Sequence, residues 1–242
     1  MDRMRTAWPL ALATAALLVL AGCGRHGGGG AASNAAKEHA ADVAGAQALV
    51  AQGQAHLKKR EWDAALDCFE HALIKDEDNS EAYYGRGRVR LEFSQPNARN
   101  PQLNEPMLDQ AIADFTKTIE MDKQSQKALA RRGEARMRRG VFAIIDQSRE
   151  DEARKDLDAA LVDLNAALEL NPRDPLSLLN RGRVHQAFKE YSDAIADYEA
   201  AINLSSSMTE ARKYRDECKR EMGTASGDLP ARGNETENAH KE

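Results

Sequence analysis

One pattern of small residues, which occurs four times, constrains the fold of this 242-residue chain more than any other feature. In each copy a glycine is followed by an alanine, then a large side chain four residues after the alanine, then a small residue three further on. Residues four apart share a helix face, so the pattern predicts helix pairs that cross closely at the small residues. The copies are Gly53, Ala65, Phe69, Ala72; Gly87, Ala111, Phe115, Thr118; Gly133, Ala160, Leu164, Ala167; and Gly182, Ala194, Tyr198, Ala201.

The spacing of the copies indicates a repeat architecture. Gly53 and Gly87 are 34 residues apart, and the next two glycine intervals, 46 and 49 residues, are the same period with insertions of 12 and 15 residues. A 34-residue period is typical of helix-turn-helix arrays. Each helix pair leaves an apolar face uncovered, so successive pairs must stack into a solenoid.

Two segments carry a family resemblance. Gly53 to Ala72, with Trp62, and Gly182 to Ala201, with Tyr191, resemble the signature of the tetratricopeptide repeat (TPR) family, and Asn171-Pro172 resembles its inter-repeat turn. The resemblance covers about residues 46–208. It implies an all-α, helix-turn-helix solenoid of about four repeats, each with a helix A and a helix B, and a groove lined by the A helices that binds other proteins.

The repeat phase predicts the domain boundaries. A polar, charged stretch after the fourth repeat has the composition of a capping helix, and the last residues, rich in Gly, Asn and charge, predict a disordered tail. The predicted segments are repeats at 46–79, 80–125, 126–174 and 175–208, a capping helix at 209–222 and a tail at 223–242.

The N-terminus predicts a secreted, lipid-anchored protein. Arg3 and Arg5 precede an apolar run, residues 8–22, that is shorter than the roughly 20 residues a membrane span needs. The run ends in Leu20-Ala21-Gly22-Cys23, which resembles a bacterial lipobox and implies that residues 1–22 are removed and that Cys23 carries the lipid. Two alternatives stay open: an ordinary signal followed by a chance cysteine, and an uncleaved anchor.

Residues 23–45, rich in Gly and Ala, predict a flexible tether. The residue after the cysteine is Gly24 rather than aspartate, which resembles the default of sorting to the outer membrane. We therefore expect a bacterial envelope protein that is lipid-anchored and faces the periplasm.

The insertions of repeats 2 and 3 fall between helix A and helix B, so they are predicted to share one edge of the solenoid. The first spans about Ser94 to Glu105. In repeat 3 we expect Gly140 to end helix A, Ser148 and Asp151 to form a capping box, and helix B to run from about Arg149 to Leu170. The apolar stretch 141–145 either folds back onto helix B or contacts a partner through a loop that contains Phe142, Ile144 and Ile145.

By analogy with the family, a few positions of each helix A face the groove. Lys127 and Arg131 resemble the basic half of a clamp for a C-terminal carboxylate, but Val50, Gln54 and Gly85 depart from it. A mixed-charge groove for an extended or helical peptide is therefore favoured, and the alternative is an ordinary solvated helix face. The predicted groove residues are Glu81, Tyr84, Arg88, Lys127, Arg131, Glu134, Leu176, Asn180 and Arg183.

No motif for catalysis, metal or cofactor binding stands out. None of the six histidines has a His or Cys partner at ligand spacing, and no nucleophile motif or phosphate-binding loop occurs. The net charge of -5, mixed in sign, disfavours nucleic acid. Cys68 and Cys218, four units apart, are predicted to be free thiols.

The sequence therefore predicts a non-catalytic scaffold or adaptor that binds envelope proteins. The alternative is a pilotin-like carrier for one pilus, secretion or outer-membrane client.

Overall fold

A computed structural model describes residues 29–94, 104–145 and 149–225, and these residues form nine α-helices and no strand. The predicted all-α solenoid is confirmed for this part of the chain. Within it, no helix combines the length and apolar character that crossing a bilayer requires. The helices are α1 (Gly29–Lys59), α2 (Trp62–Lys75), α3 (Ser80–Phe93), α4 (Asn104–Met121), α5 (Gln126–Ile145), α6 (Glu150–Leu170), α7 (Pro175–Ala187), α8 (Tyr191–Leu204) and α9 (Thr209–Ala225).

Residues 1–39 and 40–242 form separate packing units. The described part of the first unit, residues 29–39, is the beginning of α1. The prediction of a flexible tether over 23–45 is therefore wrong from Gly29 onward, because alanine, which dominates this stretch, has the highest helix propensity of all residues. Cys23 and the rest of residues 1–28 lie outside the described residues, as does the predicted tail from residue 226.

In the solenoid, each repeat is closed by a large helix B side chain packed against a glycine of helix A. A Cβ atom built on Gly53 would lie 2.8 Å from the Phe69 ring, and one built on Gly85 of the next repeat would lie 2.3 Å from the same ring. Phe69 is fully buried between these two glycines, so it joins repeat 1 to repeat 2. The same close approach recurs between Gly87 and Phe115, Gly133 and Leu164, and Gly182 and Tyr198.

Buried ion pairs, which we call clasps, reinforce three of the four helix pairs. In repeat 3, Arg132 donates to both carboxylate oxygens of Asp163 (2.9 and 2.8 Å) and Arg136 donates to one of them at 2.8 Å. Asp163 is 1% exposed. The equivalent clasps are Arg86 and Arg90 with Asp114 in repeat 2, and Arg181 with Asp197 in repeat 4.

Repeat 1 has no such clasp. The positions of the arginine and the aspartate hold Gln52 and Cys68 instead. The thiol of Cys68 is half-buried, and its burial raises its pKa. Repeat 1 is therefore held by apolar packing among residues such as Val50, Leu57 and Phe69.

The insertion of repeat 3 lengthens both of its helices. α5 has 20 residues against 13 in α7, and α6 has 21 against 14 in α8, so each is seven residues longer. The prediction that Gly140 ends helix A is wrong. Gly140 lies inside α5, where a Cβ would meet Leu157 Cγ at 2.9 Å, so this glycine permits close helix packing rather than termination.

α6 begins at Glu150, one residue after its predicted start. Its N-cap is Arg149, without a side-chain capping bond, and Ser148 of the predicted capping box lies outside the described residues. In repeat 2, Ser94 caps α3, and Pro106 lies in the first turn of α4, where its missing N–H costs no helix bond.

We expect Gly85→Ala to lower the free energy of unfolding, because the new methyl group would overlap the Phe69 ring. Overpacking costs about 1–3 kcal/mol, more than the gain of about 0.5–1 kcal/mol that alanine brings to a helix. Urea denaturation followed by circular dichroism measures the change. Gly223→Ala is the control, because a Cβ there meets nothing within 4 Å and should leave stability unchanged or raised. Equal shifts in the two variants would contradict the packing account.

Asp163→Ala should destabilise the protein by about 2–4 kcal/mol, because it leaves two largely buried arginines without a counter-charge. Glu120→Ala, which removes only the exposed pair with Lys117, should cost less than about 1 kcal/mol. The thermal unfolding midpoints of the two variants test this difference. Similar midpoints would show that the clasp does not hold the helix pair.

Candidate functional site

A cleft of about 720 Å³ opens between α1, α3 and α5, the A helices of repeats 1–3. We call it the N-terminal cleft. Four of the predicted groove residues, Glu81, Tyr84, Arg88 and Lys127, line it. The other lining residues are mostly polar: Gln54, Leu57, Lys58, Ser80, Thr118, Asp122, Ser125 and Gln126.

Tyr84 is the aromatic centre of this cleft. Its ring packs against Phe115 of the core, with ring centroids 5.9 Å apart, and the guanidinium of Arg88 lies over it at 5.9 Å. A half-buried tyrosine stacked by arginine combines apolar area with polar groups, as binding hot spots do.

The basic side chains of the N-terminal cleft have no ion-pair partner within the described chain. Lys58, Arg88 and Lys127 line it, and none of them lies within 4.0 Å of a described carboxylate oxygen. Two acidic residues, Glu81 and Asp122, lie at the end of the cleft where α3 and α5 begin. The cleft therefore has mixed charge, as predicted, and its cations are available to a ligand.

Arg131 and Glu134, predicted to face the groove, form an internal network instead. Glu134 is 4% exposed and accepts from Arg131 at 2.8 Å and from Arg138. Burial tends to lower the pKa of Arg131, but the charge of Glu134 and the Tyr84 hydroxyl outweigh it, and the pKa is raised. Glu134 is therefore a structural carboxylate, and its burial between two arginines disagrees with the prediction that it faces a partner in the groove.

Three of the predicted groove residues lie on α7. Asn180 is 2% exposed and its amide nitrogen has no hydrogen-bond partner among the described residues, so its burial also disagrees with the prediction that it faces a partner in the groove. Arg183 is partly exposed and lies over the ring of Tyr214 in α9, at 5.3 Å. Leu176 packs against the core beside Leu178 and Leu179.

Described residues beside the two insertions pair with one another. Arg149, beside the start of α6, pairs with Glu105 of α4, and Arg139 of α5 pairs with Asp109 of α4 and with Asp156 of α6. These ion pairs join the lengthened hairpin to repeat 2.

The apolar stretch 141–145 is helical rather than a loop. Phe142 packs against the core cluster of Leu91, Leu108 and Phe115, so it is not free to contact a partner. Ile144 and Ile145 are exposed, at 42% and 75%. Ile144 lines a second cavity, of about 760 Å³, together with Ala153, Leu157, Ala187, Phe188 and the charged Glu150, Asp151, Arg154 and Lys189.

One cluster was missed by the sequence reasoning, which looked only for His or Cys partners of each histidine. His185, Glu190 and Asp193 place ligand atoms within 4.8 Å of one another at the turn between α7 and α8. His185 Nδ1 lies 2.7 Å from Glu190, and Lys189 between them has a positive φ of 62°. The turn of repeat 1 repeats this arrangement with Arg60, His56 and Glu61, so the contact is part of the regular turn.

Comparison with known proteins agrees with the repeat geometry. The family model described as "Tetratricopeptide repeat" matches residues 50–95 and 145–209. A search of functionally curated proteins finds no significant match.

Three solved structures illustrate the likeness of fold. A thermophilic TPR protein of Thermus thermophilus, TTC0263, has 23% sequence identity, covers 75% of this chain and 84% of its own, and has a TM-score of 0.59. MamA from residue 41 to the end, from Desulfovibrio magneticus RS-1, has 15% identity, coverages of 75% and 89%, and a TM-score of 0.54. Cut9–Hcn1 of the APC/C has 16% identity, coverages of 75% and 31%, and a TM-score of 0.56.

At these identities the likeness concerns the fold alone. TPR domains bind peptides or proteins in general. Residues 50–95 and 145–209 therefore resemble tetratricopeptide repeats, and the described helices form a solenoid of the same fold as the TPR protein of Thermus thermophilus.

Proposed function

We propose that this protein is a non-catalytic, lipid-anchored scaffold that binds one or more proteins of the bacterial envelope through the groove of its A helices. The observation that carries the proposal is the N-terminal cleft, where a half-buried tyrosine and three cations without partners in the described chain line one concave surface. Charged groups in a cleft contribute binding energy when a partner supplies the opposite charge.

The state of the thiols supports a binding role over a catalytic one. Cys218 is buried and Cys68 is half-buried, and burial raises the pKa of both. A nucleophilic cysteine requires a lowered pKa, so both thiols are suited to packing.

The proposed anchoring rests on the sequence alone. Leu20-Ala21-Gly22-Cys23 supports lipidation at Cys23, and the Gly after it supports the outer membrane facing the periplasm.

We expect Cys23→Ser to move the protein from the membrane to the soluble fraction, because the acyl chains that would hold it are lost. Fractionation of expressing cells followed by immunoblotting measures this. Cys68→Ser, in the same background, is the matched control and should stay in the membrane fraction. Membrane retention of Cys23→Ser would contradict the lipid anchor.

Changing Arg88, Lys127 and Arg183 to alanine should abolish capture of partner proteins, because these cations line the groove without internal ion pairs. Arg131 is left intact because it neutralises buried Glu134. In-cell cross-linking and pull-down from detergent-solubilised membranes measure the capture. A variant with Lys155, Arg173 and Lys189 changed to alanine removes the same charge elsewhere and should capture normally.

The identity of the captured proteins separates scaffold from carrier. Several stable envelope partners support the scaffold, whereas a single assembly-stage client supports the pilotin-like carrier. Unchanged capture by the groove variant would contradict binding through the groove.

A further inference from the structure

Two sets of cations on the A helices of this solenoid differ in their partners. Those at the contacts between helix A and helix B, such as Arg86, Arg132 and Arg181, are neutralised by buried aspartates. Those lining the N-terminal cleft, Lys58, Arg88 and Lys127, have no carboxylate partner among the described residues. Other cations without an ion pair in the described part of the chain, such as Lys155, Arg173 and Lys189, lie outside the cleft, but the three cleft cations line one cavity together.

From these three cations in one cleft we propose that the N-terminal cleft binds an internal acidic segment of its partner, through side-chain carboxylates rather than a chain terminus. The inference rests on the proposed function and names the chemistry of its ligand.

The three cations are spread along the cleft rather than gathered at one point. Each comes from a different helix, and relative to the repeat glycines they stand five residues after Gly53, one after Gly87 and six before Gly133. At 1.5 Å per residue and on the order of 10 Å between neighbouring A helices, successive cations are roughly 12–14 Å apart. An extended chain covers that distance in about four residues, at about 3.3 Å each.

A terminal carboxylate would need several donors converging on one group. The positions that could supply them hold Gly85, packed against Phe69, and Val50, which is 4% exposed. Neutral donors, Gln54 and Ser125 among them, lie along the cleft and suit the backbone carbonyls of a passing chain.

The positions of the two acidic residues of the cleft predict how much each of the three cations contributes to ligand binding. Glu81 and Lys127 are each the second residue of their helix, and Asp122 lies four residues before the start of α5. Lys127 therefore shares its end of the cleft with two carboxylates. Lys58 and Arg88 lie nearer the opposite end and should contribute more to binding.

Fluorescence anisotropy with the full-length chain tests the proposal. The probe is a labelled, N-acetylated and C-amidated peptide of about twelve residues, built of Ser and Thr with Glu at every fourth position, a spacing taken from the distances above. We expect it to bind, and to bind about tenfold or more tighter than the same peptide with Gln for Glu, because each exposed ion pair adds a modest increment. Binding should weaken steeply as salt screens the charges.

Substitution of the three cleft cations tests whether the peptide binds in the N-terminal cleft. Lys58→Gln and Arg88→Gln should each weaken binding more than Lys127→Gln, and the triple variant should lose about tenfold or more. The triple variant Lys155→Gln, Arg173→Gln, Lys189→Gln carries the same charge change outside the cleft and should bind like the parent. A charge swap, Arg88→Glu with a Lys-containing peptide, should restore binding if the contact is direct.

Three outcomes would overturn the inference. They are equal binding of the Glu and Gln peptides, tighter binding of a free C-terminal acid than of the amide, and equal losses in the cleft and control variants. If any occurs while cells still yield partners that depend on Arg88, Lys127 and Arg183, the groove function stands and only its acidic ligand is rejected.

Discussion

The close approach of a glycine and a large side chain is the contact on which the rest of this solenoid depends. A methyl group at Gly85 would overlap the Phe69 ring, and the same ring already touches Gly53. Each large side chain therefore fixes the crossing of its own helix pair, and Phe69 also fixes how closely the helix A of the next repeat approaches. These contacts hold the first A helices close to one another, and the N-terminal cleft lies between α1, α3 and α5.

The charged side chains of the A helices are divided between packing against helix B and lining the cleft. The arginines beside the glycines turn toward helix B and meet aspartates that are almost completely buried, as Arg132 meets Asp163. Burying such a pair adds little net stability, but removing either member leaves an uncompensated charge, so the pair enforces one arrangement of the helices. Arg88, two residues after Arg86, has no carboxylate partner among the described residues and lines the cleft instead. Packing and recognition thus use different faces of one helix.

The repeat number, the all-α class and the start of α6 could be predicted because they depend on periodicity and local helix signals. Burial of Glu134 and Asn180 could not, because it depends on how closely α5, α7 and their neighbours approach. The prediction that Gly140 ends helix A was wrong for a related reason. A glycine permits both helix termination and close packing, and only the presence of Leu157 opposite decides between them. The clasps could have been predicted from the sequence, because an arginine precedes the glycine and an aspartate precedes the large residue in repeats 2–4, but not in repeat 1.

The matched lengthening of α5 and α6 has a consequence for how such chains diversify. Each helix gains seven residues at the turn between helix A and helix B, and Gly133 still meets Leu164. An antiparallel pair can therefore grow by whole turns at this edge when the neighbouring repeat supplies partners for the added length, as α4 does with Glu105 and Asp109. New surface can thus be added at this edge while the contacts that hold the A helices beside the N-terminal cleft are kept.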